Sequence, residues 1–305
     1  MARDVLQTIH YDRLRSNKYV LCTLNQEKVL PEAIKLLEEN SAKAIEMFTK
    51  LKEILISPEN FRIHVSGNIL QLKNPKSTWA ENFKIISSTK PLSPIPLPQN
   101  VLTESGHNPG NKGFIVKLPA IENNFAIHAT KAPLLVLCEL LHTMEGVFWR
   151  VIRGQGLAYS VWLKVGVESG LVYFTIYKSP DAYKVYDQAK KIVDDLASKK
   201  VEFDKCELEG AKSGVIYSLV SSEATESFVL QVLNNTSSNF NRELISKVQA
   251  VKYEDLHIML TKYITKLFMP ETSNVVVIST PGKVKDLQEG FNSHGFKLEV
   301  KSLDK

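Results

Sequence analysis

Apolar residues recur at helical spacing through the first quarter of the chain. In "SAKAIEMFTKLKEIL" the residues Ala44, Ile45, Phe48, Leu51 and Leu55 fall on one face, and Ser41 is placed to cap the helix start. Pro31 suits the first turn of a second helix, "PEAIKLLEEN", where its missing N–H costs nothing. Alternation in "FRIHVSGNI" predicts a strand ending at Gly67, and a short helix follows with Trp79 and Phe83. The pattern then dissolves. Between Lys90 and Gly113 the chain holds five prolines and three glycines without periodicity, which predicts extended, polyproline-type backbone.

Beyond Gly113 the periodicity returns and changes kind. "GFIVKLPA" and "NFAIHAT" predict strands, and "APLLVLCELLHTMEGVFWRVI" is apolar nearly all round, as a buried helix is. "AYSVWLKVGVESGLVYFTIYK" alternates over two runs that meet near Glu168-Ser-Gly170, the pattern of an antiparallel hairpin. In "DAYKVYDQAKKIVDDLASKK" Val185, Ala189, Ile192, Val193 and Leu196 share a helix face, with Asp181 at its start. Helical stretches follow from Glu202 to about Asn234 and from Arg242 to Phe268. "SNVVVIST" has the composition of a central strand, "GKVKDLQEGFNSHG" that of a closing helix, and "FKLEV" that of a terminal strand. Strands followed by helices predict an α+β fold, a mainly antiparallel sheet with helices packed on one face. The predicted organisation is a mostly helical segment 1–86, a Pro-rich linker 87–112 and a complete α+β domain 113–305.

Composition narrows the function classes. With 305 residues, 44% hydrophobic and 23% charged, the chain can bury a sizeable core. A formal charge of +5 is modest, and the lysines are interspersed with carboxylates, so no nucleic-acid face is expected. No apolar run reaches the roughly 18 residues of a membrane span. The three cysteines, Cys22, Cys138 and Cys206, form no C-x-x-C pair, which points to a reducing compartment. We therefore expect a cytoplasmic protein. The Arg-bearing amphipathic start "MARDVLQTIHYDRLR" keeps the mitochondrial matrix as the alternative, although its two Asp residues argue against a transit peptide.

The candidate chemistry lies in "VFWRVIRGQGLAYSVW". Gly154-x-Gly156 is not a dinucleotide fingerprint, because Tyr159 stands where the third glycine belongs and the order is helix then strand. The glycines permit a tight turn instead. Arg153 brings a permanent fork of donors and Tyr159 a neutral one, and together they could bind a carbonyl or stabilise an oxyanion. The bland reading is a helix-capping Arg and a half-buried Tyr. "HTMEG", His142 to Gly146, falls one residue short of the H-x-x-E-H zinc signature, because Gly146 cannot ligate. No other histidine lies at ligand spacing, so no residue of this chain is assigned to a metal.

"RVIRGQGLAYSVW" and its surroundings resemble the C-terminal half of pitrilysin-type zinc peptidases, the family of insulysin, presequence protease and mitochondrial processing peptidase. The Arg153-to-Tyr159 spacing resembles the presequence-protease branch; in the other two branches the Arg falls one residue earlier, where this chain has Ile152. The resemblance extends over residues 113 to 300 in the order of elements, and residues 1–86 fit the tail of a preceding repeat. It implies a two-half chamber in which the N-terminal half holds zinc and the C-terminal half contacts the substrate peptide. Carried over, Arg153 and Tyr159 contact the carbonyl near the scissile bond, and Gly154, Gly156 and Ala158 permit the approach. The strand edge "GLAYSVW" could also hold a peptide by strand addition.

The departure is as specific as the resemblance. There is no H-x-x-E-H in the chain, and "HTMEG" resembles a degenerate counterpart of the zinc helix. Zinc is thus expected only in a full-length enzyme, bound by an N-terminal half absent from this sequence, and the chain alone is expected to be inactive. Its expected partners are a peptide substrate and that N-terminal half. Two readings stay open: a substrate-binding part of a longer zinc metalloendopeptidase, or a non-catalytic homologue serving as a binding or assembly subunit.

Overall fold

Six strands, β1 (Lys112–Lys117), β2 (Asn124–Lys131), β3 (Ser160–Gly166), β4 (Leu171–Ser179), β5 (Asn274–Ser279) and β6 (Glu299–Ser302), form one sheet in the order β3-β4-β2-β5-β1-β6. The computed structural model describes residues 1–305 except 61–67, 83–89, 132–133, 167–168, 223–236, 238 and 303–305. The pairs β3–β4, β4–β2 and β2–β5 are antiparallel, whereas β1 runs parallel to both β5 and β6. The sheet is therefore mixed, its hairpin half antiparallel and its far half parallel. Strand β5, the run "NVVVIS", is buried at every residue because it has a strand on each side and side chains covered on both faces.

Helices cover one face of the sheet. Helix α7 (Ala182–Ala197) lays Val185, Ala189, Ile192, Val193 and Leu196 against it, the predicted stripe, and is capped by Asp181, whose side chain accepts from the Tyr183 and Lys184 amides. Helices α6 (Leu135–His142) and α8 (Lys205–Ser222), and those at Phe240–Gln249, Tyr253–Tyr263 and Val284–Ser293, share this core with Leu163, Phe174 and Ile176. The opposite face holds a smaller core. There α1 (Ala2–His10) buries Val5, Leu6 and Ile9 against Val116, Ile127, Ala129, Tyr173, Val276 and Ile278.

The chain divides into two compact units: Met1–Gln26 with Leu97–Ser222 and Ser237–Lys305, and Glu27–Pro96 with Glu223–Thr236. The first holds the whole sheet and reaches further back than the predicted boundary at 112, because α1 and the second half of the Pro-rich stretch are built into it. Residues 97–111 are a folded strap rather than extended polyproline. Val101 and Leu102 are buried, Thr103 caps the short helix α5 (Glu104–His107), and the Thr103 amide donates to the His10 carbonyl at 2.8 Å. Gly110 N–H donates to Asn274 Oδ1 at 2.8 Å, and the Asn274 amide group reaches His10 Nε2 at 3.1 Å and the Ser105 carbonyl at 3.2 Å. Asn274 thereby ties the strap and α1 to the central strand.

The second unit contains most of α2 (Thr23–Glu39), together with α3 (Ser41–Leu55) and α4 (Pro75–Asn82). Pro31 lies inside the first of these rather than at its start. Asn40 takes the cap expected of Ser41, its side chain accepting from Lys43 N at 3.0 Å. Of the predicted apolar face, Ala44 is buried while Ile45, Phe48, Leu51 and Leu55 are exposed. The strand expected at 61–67 and Phe83 lie outside the described residues. Among the described residues no helix is long and apolar enough to cross a membrane.

Candidate functional site

The run predicted as one buried helix is two. Helix α6 stops at His142, Thr143 turns extended, and Glu145 takes a left-handed φ of 65°. A new helical stretch begins as Arg150 N donates to the Gly146 carbonyl at 2.9 Å. It then widens. Gly154 N donates to Trp149 O at 3.0 Å and Leu157 N to Ile152 O at 3.0 Å, five residues back instead of four, so Trp149–Arg153 is a turn of π-helix. Phe148 and Ile152, four apart, are both fully buried in the helix-side core, while Arg153 stands exposed.

Each small residue in the turn has a separate reason. A Cβ on Gly154 would lie 2.2 Å from the Arg150 carbonyl oxygen, so the widened turn closes only over a glycine. Gly156 has φ +70°, the left-handed region, with open space around it. Ala158 is buried. The chain is then pinned to the sheet: Ser179 Oγ donates to Leu157 O at 2.7 Å and accepts from Asp181 N at 3.0 Å, and Tyr159 N donates to Lys178 O at 3.0 Å.

This geometry brings Arg153 and Tyr159 together. The Arg153 guanidinium carbon lies 5.2 Å from the centre of the Tyr159 ring and 5.7 Å from that of Trp149. Tyr159 remains 60% exposed although its backbone is fixed. The two side chains meet by cation–π stacking, an interaction on the order of 0.5–1 kcal/mol at an exposed position. Among the described residues no carboxylate pairs with Arg153, whereas Arg150 is held by Glu207 at 3.2 Å. The pair also sits just ahead of β3, which among the described residues is an edge strand with one neighbour. A permanent cation and a phenol hydroxyl at a free strand edge can donate to a carbonyl and to a developing oxyanion.

"HTMEG" does not fit zinc. His142 is the last residue of α6, its Nδ1 2.6 Å from the Cys138 carbonyl oxygen and its Nε2 3.6 Å from a Glu139 carboxylate oxygen. With the helix ended and Glu145 left-handed, His142 and Glu145 share no helical face. Among the described residues no three His, Cys, Asp or Glu side chains are grouped to hold a metal ion. The Cys138 thiol is no nucleophile either, since burial and the neighbouring Glu139 push its pKa up.

The candidate site extends beyond the turn along a row of aromatic rings. Tyr159 meets Tyr177 edge-on at 6.1 Å; Tyr177 in turn contacts Trp162 at 5.8 Å and Phe125 at 5.4 Å. This aromatic row runs on the α1 face into a cavity of about 620 Å³ bounded by Arg3, Phe125, Trp162, Lys164, Tyr173 and Thr175 among others. The signal was the alternation of Tyr173, Thr175 and Tyr177 along β4, opposite Lys164, Trp162 and Ser160 in the ladder. It shows a shared face but no hollow.

No protein-family model matches the chain. It is 28% identical over 318 residues to an uncharacterized protein of Schizosaccharomyces pombe, covering 94% of this chain and 30% of the relative. An uncharacterized protein of Saccharomyces cerevisiae is 29% identical over 279 residues, 84% of this chain and 27% of its own length. The chain thus spans less than a third of these curated relatives. Among solved structures, a protease from Helicobacter pylori superposes with a TM-score of 0.52 at 16% identity, over 68% of this chain and 53% of that one. An inactive domain of an M16 peptidase from Pseudomonas fluorescens superposes with a TM-score of 0.46 at 11% identity, over 68% and 51%. At such identities the likeness is one of fold. Over that length the chain shares the fold of the Helicobacter pylori protease, with helices packed on a mixed sheet.

Proposed function

We propose that this chain is the C-terminal, substrate-binding part of a pitrilysin-type metalloendopeptidase, in which Arg153 and Tyr159 contact a peptide carbonyl beside the scissile bond. One observation carries the proposal: a π-turn that closes only over Gly154 stacks an exposed guanidinium on an exposed phenol at the end of a free strand edge. A bland helix-capping role for Arg153 would have directed the guanidinium at the last carbonyls of its helix, not over a ring across the turn. The part played by this chain is to bind and orient. An extended peptide adding to β3 would bond to its free backbone groups and run past Tyr159. Two donors aimed where charge develops stabilise the transition state more than the ground state. The zinc of such an enzyme belongs to the N-terminal half, since the residues here do not fit it, and the partner of this surface is that half. Three cysteines without a disulfide among them are compatible with a cytoplasmic setting.

The test is peptide cleavage by the full-length protein and its Arg153→Ala and Tyr159→Phe variants. Loss of one preorganised donor is expected to lower kcat by about 10²-fold or more, with a smaller change in KM. Normal turnover in both variants would return the pair to a structural role. A full-length protein that forms stable complexes and cleaves no peptide would establish the alternative, a binding or assembly subunit.

A further inference from the structure

The aromatic cavity beside β3 has a use that the carbonyl donors do not supply. It lies on the α1 face, walled by Phe125, Trp162, Tyr173 and Thr175, and its volume of about 620 Å³ exceeds that of any one amino-acid side chain. Two side-chain cations stand at it, beside a Met1 α-amino group that Asp4 holds at 2.8 Å: Lys164 on β3, and Arg3, whose guanidinium carbon is 5.7 Å from the centre of the Tyr173 ring. Among the described residues no carboxylate lines it. Tyr177 joins it to Tyr159 through ring contacts, so donor pair and cavity form one surface.

We propose that this cavity is a side-chain subsite for the bound peptide, taking an aromatic or large aliphatic residue with an acidic residue next to it. The inference rests on the substrate-binding reading above and adds the class of peptide selected. Strand addition fixes the register. At about 3.3 Å per residue, the step from Tyr159 to Trp162 and Lys164 places the selected residue three to five positions from the carbonyl that Arg153 and Tyr159 would contact. Alternate residues of an added strand point to one face, so the apolar side chain enters the cavity while a carboxylate two positions away meets Lys164 or Arg3. Apolar walls supply affinity, and the unbalanced cations supply selection for acidic over basic neighbours.

The experiment measures binding of fluorescein-labelled dodecapeptides to this chain by anisotropy. The peptides are polar, with one Phe and one Asp two residues apart, and are compared with Phe→Ala and Asp→Lys versions. Phe→Ala and Asp→Lys are each expected to weaken binding about tenfold or more. Thr175→Trp, which fills the cavity, should abolish the Phe preference. Lys164→Glu, an exposed change that leaves the core untouched, should abolish the Asp preference, because the new carboxylate offsets the charge of Arg3. If Thr175→Trp folds yet leaves the Phe/Ala ratio unchanged, or Lys164→Glu leaves the charge preference unchanged, the subsite is wrong. Equal competition by free phenylacetate would overturn the assignment to a peptide. The two proposals fail separately: normal turnover in Arg153→Ala and Tyr159→Phe removes the substrate-contact reading, whereas lost turnover there with no effect at Thr175 or Lys164 removes only the subsite.

Discussion

Replacing His128 by Phe should make the protein more stable, and increasingly so as the pH falls. His128 sits on β2 with no exposed surface, stacked on Tyr186 at 5.1 Å and 16° and ringed by Phe174, Phe291 and Phe296 at 5.8 to 6.0 Å. Neither ring nitrogen has a hydrogen-bond partner among the described residues. Burial pushes its pKa down to about 3, against an ordinary value of 6.5, so the ring is neutral in the fold. Below pH 6.5 the unfolded chain takes up a proton that the folded chain refuses. The stability tied to the neutral ring is therefore complete above pH 6.5 and is lost progressively down to about pH 3. At pH 5 the loss is about 1.5 pH units at 1.36 kcal/mol each, or about 2 kcal/mol. His10, whose pKa burial lowers to about 4, adds a similar loss, but it is present in both proteins and cancels in the comparison. His128→Phe should therefore gain about 1–3 kcal/mol at pH 7.5 from removing unpartnered polar atoms. That advantage should widen by about 2 kcal/mol at pH 5. Urea unfolding followed by circular dichroism at pH 7.5, 6.5, 5.5 and 5.0 gives both numbers. A difference that stays constant across this range would show that His128 does not titrate between the two states, and the burial argument would fail.

Two further changes test the turn and the strap. Gly156→Ala should cost about 1–2 kcal/mol, the strain of a left-handed alanine in open space. Gly154→Ala should cost more and also lower turnover of the full-length protein, because its Cβ cannot coexist with the Arg150 carbonyl; equal effects in thermal melts would mean that the π-turn is not what fixes Arg153. Asn274→Ala leaves the Gly110 amide, His10 and the Ser105 carbonyl without their partner and should cost about 3 kcal/mol. A loss below about 1 kcal/mol in urea melts would show that the strap is held by other contacts.

What the sequence disclosed depended on how local the cause was. Strands β1 to β5 and helix α7 are legible because half-buried strands alternate and one-sided helices repeat at i, i+3 and i+4. The buried run of β5 marked it as central. The strap at 97–111 was not legible: its partners His10 and Asn274 lie about 100 residues before it and 160 after it, and a stretch with Pro98 and Pro109 but no periodicity looks extended until a distant amide satisfies it. The crossing of α1 to the other sheet face is hidden for the same reason, since an amphipathic stripe states that one side is buried without saying against what. At the candidate site, the resemblance pointed to Arg153 and Tyr159, which the local chemistry alone left ambiguous. The π-turn could not be inferred, because the extra residue per turn comes after Phe148 and Ile152, whose spacing remains helical.

The break after His142 connects the missing metal geometry to the placement of Arg153 and Tyr159. Had α6 continued unbroken through residue 153, positions 142 and 146 would share a face, as a pair of ligands four apart requires. Thr143 and Glu145 instead turn the chain, and Gly146 accepts the turn because even a Cβ there would lie 2.9 Å from the Thr143 carbonyl oxygen. The second helical stretch then starts along a new axis and is anchored by Phe148 and Ile152 in the core. That anchoring leaves Trp149 and Arg153 on the side away from the buried pair, and the widened turn brings Arg153 over Tyr159 at the edge of β3. The feature that separates His142 from Glu145 is thus the same one that sets where the guanidinium emerges. Restoring a histidine at Gly146 would not rebuild a zinc site, because the helix needed to align it is absent and its Cβ would press on Thr143. A Gly146→His variant is accordingly expected to bind no stoichiometric zinc by elemental analysis and to lose stability. A tightly held zinc in that variant would mean that α6 can extend across the break, and that the position of Arg153 is not fixed by it.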